Sequence, residues 1–188
     1  MNKVVIVGHT RGLGSALMKV FNTEPGFKNV VGLSKSTGYN IEKVSDRLNI
    51  ITQAKDADIL ILNAFSDNVK DAQHELLCES FKALQSTPMT IAVIGSNAPD
   101  NWKDSMRKYP SYKKMIDHSV RQMSQQDTAC RVVNFRPGWI NTTRIKPEKR
   151  AGAMDPMSVA LTIRRVLELP DDVRPIEFTF VPEKHRDT

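Results

Sequence analysis

Cysteine and aromatic residues are scarce in this chain. Aromatics make up 6% of it, and its two cysteines, Cys78 and Cys130, show no metal-ligand spacing. Two such thiols do not make a disulfide framework, so a stapled fold is excluded and a cytoplasmic protein with reduced thiols is the economical reading. The four histidines (His9, His74, His118 and His185) are scattered rather than clustered, which leaves no ligand set for a metal. No apolar run approaches membrane-spanning length, and the first apolar segment is too short and too early for a signal peptide. No membrane partner is expected. Repeats and low-complexity segments are also missing.

What is present suits a soluble globular protein. The 188 residues are 40% hydrophobic and 26% charged, enough for one substantial core, and 1–188 reads as one domain. The net charge of +6 favours anionic ligands without being a nucleic-acid signature. Much of the basicity lies in Arg144-Ile145-Lys146-Pro147-Glu148-Lys149-Arg150. This run contains proline and has no aromatics to stack on bases, so it reads as a solvated loop, and no nucleic-acid partner is expected.

The strongest signal is Val4-Val5-Ile6-Val7-Gly8-His9-Thr10-Arg11-Gly12-Leu13-Gly14, followed by apolar residues at Ala16, Leu17, Val20 and Phe21. A β-branched run, a glycine turn and an amphipathic pattern in this order predict a strand, a turn and a helix, the context of a dinucleotide site. Glycine lets the main chain approach a ligand closely, and the free N–H groups of a helix start favour a pyrophosphate. Strands are predicted at Val4–Val7, Val30–Leu33, Ile59–Leu62, Thr90–Ile94 and Val132–Phe135, with an edge strand at Ile176–Val181. Helical patterns lie near 12–22, 43–55, 69–86, 109–125 and 156–168. The alternation predicts an α/β, doubly wound Rossmann-type sheet, mostly parallel, of about six or seven strands with helices on both faces. In such sheets ligands sit beyond the carboxyl ends of the strands. Those positions here are Gly8–Gly14, Ser34-Lys35, Asn63-Ala64, Ser96 and Pro137-Gly138.

Ser96 follows the fourth strand, and Tyr109 and Lys113 share a helical face beyond it. Free tyrosine titrates near 10 and is a poor base at neutral pH, but a neighbouring ammonium favours the phenolate. A depression of about three units corresponds to roughly 4 kcal/mol. Lys108 and Tyr112 form a second pair in reversed order, and spacing does not choose between them. Pro110 requires the helix to start near Tyr109 or to bend there.

Taken together, Gly8-x-x-x-Gly12-x-Gly14, Asn63-Ala64, Ser96, Tyr109-Pro-Ser-Tyr-Lys113 and Arg136-Pro137-Gly138-Trp139-Ile140-Asn141-Thr142 resemble the ordered motifs of short-chain dehydrogenases/reductases over nearly the whole chain. The resemblance implies that Tyr109 is the general acid/base, that Lys113 tunes it and binds the nicotinamide ribose, and that Ser96 holds the substrate oxygen. It also implies that Thr10, Arg11 and Leu13 belong to the cofactor turn and that Asn63 and Ala64 line the adenosine side, with Phe65 bringing a side chain beside the cofactor. Asn40 and Ile41 would contact the adenine, while Pro137, Gly138, Ile140 and Thr142 would lie by the nicotinamide and its phosphate.

The second strand ends in Ser34 and Lys35 without a carboxylate, and Arg11 adds a second cation, so NADP(H) is favoured over NAD(H). The implied function is an NADP(H)-dependent oxidoreductase interconverting a small-molecule carbonyl and alcohol. The alternatives are a catalytically weak NADP(H)-binding sensor or scaffold, or a lyase or epimerase on the same fold. The sequence departs from the family's pattern at Phe65, where glycine is usual, and in the short stretch from Asn63 to Ser96, which predicts a shortened or missing helix. The substrate-side loop at 143–155 is short. The family's fourth catalytic residue is not assigned, although Gln73 and His74 fall nearby. A homodimer or homotetramer is expected by analogy.

Overall fold

All six predicted runs become strands, the inner aliphatic ones covered on both faces and the last, at Ile176–Val181, half-exposed at the edge. The computed structural model describes residues 3–23, 25–100 and 108–183. Its strands are β1 (Lys3–Val7), β2 (Asn29–Leu33), β3 (Ile59–Leu62), β4 (Thr90–Ile94), β5 (Arg131–Pro137) and β6 (Glu177–Phe180). They are separated by α1 (Gly12–Thr23), α2 (Val44–Ala54), α3 (Ala72–Leu84), α4 (Lys108–Ser124), α5 (Pro147–Arg150) and α6 (Pro156–Leu167). The sheet is parallel throughout, in the order β2-β1-β3-β4-β5-β6. The Rossmann-type expectation therefore holds, with six strands and β6 at the edge.

Side chains alternate across the sheet because successive strand residues point to opposite faces. Val5, Val7, Leu60, Leu62, Ile91 and Val93 face α2, α3 and α4, whose Ile50, Leu76, Leu77, Ile116 and Val120 cover them. Val4, Ile6, Ile59, Ile61, Ala92 and Ile94 face α1 and α6 through Leu17, Phe21, Val159 and Ile163. Covering on both sides explains why β3 reads as an unbroken apolar run. Helix α6 starts where Asp155 accepts a hydrogen bond from the Ser158 amide at 2.9 Å and Pro156 takes the first turn, the start expected for proline after a capping residue.

Three features position the site. The strand order reverses at β1, since β2 lies on one side of it and β3 on the other. This creates a crevice at the carboxyl ends of β1 and β3. A single helix, α3, spans the interval from Asn63 to Ser96, as the short spacing predicts. Arg136, almost fully buried, pairs with Asp117 from α4, Glu177 from β6 and Asp100 from the turn after Ser96. These ion pairs fasten the chain beyond Ser96 to the sheet. Among the described residues no helix is long and apolar enough to cross a membrane, and no group of three or more His, Cys, Asp or Glu could hold a metal ion. His185 lies outside the described residues.

Candidate active site

The glycine turn occupies the crevice between β1 and β3. Gly8 has φ +86°, and a Cβ there would stand 2.7 Å from the Ala64 backbone, so only glycine fits without strain. A Cβ on Gly14 would come within 1.9 Å of the Gly8 carbonyl oxygen. Asn63 closes the turn from β3, its side-chain NH2 donating to the Gly8 carbonyl at 2.8 Å, and the Ala64 amide donates to the Val7 carbonyl. Helix α1 begins at Gly12, and Leu13 packs into the core. Thr10 and Arg11 are exposed on the turn. Tight approach, a helix start and a side-chain-free floor suit an anionic pyrophosphate, so the residues present fit a dinucleotide.

At the end of β2, Ser34 is buried, and its hydroxyl lies 2.9 Å from that of Ser36. Lys35 is exposed but not alone. The fold brings Glu42 beside it, with Lys35 Nζ 3.8 Å from a Glu42 carboxylate oxygen. The other Glu42 oxygen accepts from the Ser66 hydroxyl at 2.6 Å. That hydrogen bond chiefly, with Lys35 contributing, holds the Glu42 pKa below its ordinary value. A carboxylate thus stands near Lys35, although none follows β2 in sequence. Asn40 Oδ1 accepts from the Glu42 amide at 3.2 Å, and Ile41 is buried in the core beneath.

Ser96, Tyr109 and Lys113 converge beyond β4. Helix α4, described from Lys108, carries Tyr109, Pro110 and Lys113. Ser96 lies close enough to the Tyr109 phenol to oppose the rise of its pKa, and the Ser96 Oγ accepts from the Ala98 amide at 3.1 Å. Lys113 is buried, and its Nζ donates to Gln73 Oε1 at 2.7 Å and to the Ile94 carbonyl at 2.8 Å. Gln73 is buried as well, and its NH2 donates to the carbonyls of Leu62 and Ile94.

The electrostatics differ from the simple expectation of a lysine depressing a tyrosine. Burial pushes Lys113 down to about 7. The Tyr109 pKa is raised, because desolvation outweighs the opposing effects of Ser96 and Arg144. Lys113 Nζ lies 5.6 Å from the centre of the Tyr109 ring and directs its hydrogen bonds to Gln73 and Ile94 instead. At neutral pH the phenol is therefore protonated in this state.

Phe65 is the hub of the remaining wall. Its ring meets Tyr109 edge-on at a 5.1 Å centroid separation, and Lys113 Nζ lies 5.1 Å from its centre. Thr142 lies against the glycine turn, 3.0 Å from where a Gly12 Cβ would stand. The Gly138 amide donates to the Phe180 carbonyl, and Ile140 forms a parallel bridge with Met154. The Asn97 amide donates to the Pro137 carbonyl, which draws the Ser96 turn to the end of β5. The basic run is not wholly a solvated loop. Pro147 opens the one-turn α5, and Arg144 turns back to pair with Asp67 at 2.9 Å and lies 5.2 Å from the centre of the Phe65 ring.

Sequence reasoning left three of these residues unassigned or misplaced. Gln73 sits on the buried side of α3 with Ala72, Leu76 and Leu77, and a polar residue on such a face is a signal that it has a partner. Glu42 and Arg144 are brought to the site by turns, and no periodicity announces them.

No protein-family model matches the sequence, and no curated protein matches it. Solved structures do. An alcohol dehydrogenase from the archaeon Thermococcus sibiricus, complexed with 5-hydroxy-NADP, superposes with a TM-score of 0.81 at 19% identity, over 100% of this chain and 99% of that one. A 3-ketoacyl-(acyl-carrier-protein) reductase from Brucella melitensis, complexed with NADH, gives 0.79 at 14% identity, over 97% and 98% of the two chains. A 7α-hydroxysteroid dehydrogenase, complexed with NADH and 7-oxo glycochenodeoxycholic acid, gives 0.78 at 18% identity, over 97% and 95%. The chain has the doubly wound fold of the short-chain dehydrogenases/reductases that its motifs resemble.

Proposed function

We propose that this chain is an NADP(H)-dependent oxidoreductase that interconverts a carbonyl and an alcohol. The observation that carries the reading is the convergence of Ser96, Tyr109 and Lys113 beside a glycine turn that only a side-chain-free backbone can form. The turn from Gly8 to Gly14, with Thr10 and Leu13, would hold the pyrophosphate. Arg11, Ser34 and Lys35 would read a 2′-phosphate, and Asn40 and Ile41 the adenine. Asn63, Ala64, Phe65, Pro137, Gly138, Ile140 and Thr142 would line the rest of the cofactor's path. A bound dihydronicotinamide supplies a hydride to the substrate carbon.

The chain's own residues supply the other half of the reaction. Reduction of a carbonyl leaves negative charge on oxygen, which needs a proton and a hydrogen bond. Tyr109, protonated at neutral pH, donates the proton, and Ser96 donates a hydrogen bond to the same oxygen. Lys113 orients the ribose and, with Gln73 holding it, stays close to the phenol. In this reading the unit is the whole of 1–188 with a short substrate-side loop at 143–155, working in the cytoplasm as a homodimer or homotetramer.

A second reading is a cofactor-binding sensor with little turnover. The placement of Phe65 against Tyr109, where the family usually has glycine, favours it. Titration with NADPH followed by a broad panel of aldehydes and ketones separates the two. The oxidoreductase reading expects binding and oxidation of NADPH with at least one carbonyl, whereas binding without oxidation across the panel overturns it.

A further inference from the structure

Arg144 has no part in the chemistry just described, yet it stands at that chemistry's edge. Its guanidinium carbon is 5.2 Å from the centre of the Phe65 ring, the ring that Tyr109 and Lys113 also touch. Its charge acts on both of them, opposing the rise of the Tyr109 pKa and helping to depress that of Lys113. Its Nη2 donates to both oxygens of Asp67, at 2.9 and 3.0 Å. A planar guanidinium suits a carboxylate well. The side chains of Arg144 and Asp67 are 53% and 79% exposed, and ion pairs exposed to that degree are weakly held. An incoming carboxylate can therefore replace Asp67 at little cost.

We propose that Arg144 recognises a carboxylate on the substrate, so that the carbonyl compound is a short oxo acid and the alcohol a hydroxy acid. Asp67 occupies the substrate carboxylate's place in the ligand-free protein. The inference rests on the oxidoreductase reading for the carbonyl and on the Arg144–Asp67–Phe65 geometry for the carboxylate. The substrate is short because Arg144 and Tyr109 flank one phenylalanine ring. Phe65 supplies an apolar floor for the few carbons between the two groups, which glycine at this position would not.

The test is a calorimetric titration of the full chain with malonate, with and without NADP+, alongside malonamide as the uncharged probe and inorganic phosphate as the rival anion. Malonate should bind, malonamide should not, and phosphate should bind at least tenfold more weakly. Arg144→Met should weaken malonate at least tenfold, and Arg144→Lys less, since it keeps the charge but not the planar fork. Asp67→Asn should tighten malonate severalfold by removing the internal competitor. Failure of malonate to bind overturns the proposal, as does indifference to Arg144→Met, no gain from Asp67→Asn, or phosphate binding as tightly as malonate. NADP+ titrated alone reports separately on the oxidoreductase reading. If NADP+ fails to bind while malonate follows the expected pattern, the carboxylate site stands and the cofactor falls.

Discussion

The Lys113 Nζ donates to Gln73 Oε1 at 2.7 Å and shares the Ile94 carbonyl with the Gln73 NH2. This buried exchange joins α3, α4 and the end of β4 behind the Tyr109 phenol. It predicts that Gln73→Leu, which leaves Lys113 and the Leu62 carbonyl each short of a partner, costs about 1–3 kcal/mol of stability. Urea unfolding measures the loss. Gln73→Glu should instead raise the Lys113 pKa, because a carboxylate beside the ammonium favours the charged form. A Gln73→Leu variant as stable as the wild type would show that the pair contributes nothing.

Stability should climb with pH just above neutrality. Burial holds Lys113 at about 7, whereas an unfolded lysine titrates near 10. Between those values the unfolded chain binds more protons than the folded one, so raising the pH favours folding by up to roughly 1.4 kcal/mol per unit. Cys130, pushed up by burial to about 11, and Tyr109, also raised, act with the opposite sign at higher pH. The urea midpoint of the wild type should therefore rise between about pH 7 and 9, and Lys113→Met should flatten that rise. A flat wild-type profile would show that the folded lysine keeps its ordinary affinity for protons.

The proposed preference for NADP(H) turns on three charges. NADPH should bind more tightly than NADH, and Lys35→Glu or Arg11→Ala should cut the ratio by about tenfold, the equivalent of one charge-assisted hydrogen bond. Glu42→Gln should widen it, since the Glu42 carboxylate lies 3.8 Å from Lys35. Fluorescence titration of both nucleotides reads the ratios. Equal affinities in the wild type would contradict the NADP(H) preference.

Gly14→Ala would place a methyl group 1.9 Å from the Gly8 carbonyl oxygen. The turn must open to admit it, at a cost of about 1–3 kcal/mol for an overpacked site, and NADPH binding should fall with it. A variant that binds NADPH like the wild type would remove the turn from the cofactor site.

The strands were legible because a parallel sheet covered on both faces demands unbroken aliphatic runs, and Ile59–Leu62 has no other use. The site's outline was legible for a related reason: in this topology Gly8, Asn63 and Ser96 follow strands, and Pro137 closes one, that all end on one side. What spacing does not encode is burial. Lys113 and Tyr109 share a helical face as expected, yet desolvation sets the direction of both pKa shifts. Nor does it encode turns that double back. Glu42 reaches Lys35 after a 3-10 turn at Lys35–Thr37, and Arg144 crosses to Asp67 from a segment far along the chain.

The most direct test of the proposed function separates binding from turnover at the two tyrosines of α4. NADPH affinity and carbonyl-dependent NADPH oxidation should be measured for the wild type, Tyr109→Phe and Tyr112→Phe. Tyr109 stands beside Ser96 and Lys113, so Tyr109→Phe should bind NADPH like the wild type and lose turnover by about 10²- to 10⁴-fold. Tyr112→Phe should keep both. Loss of turnover in Tyr112→Phe with Tyr109→Phe still active would contradict the account.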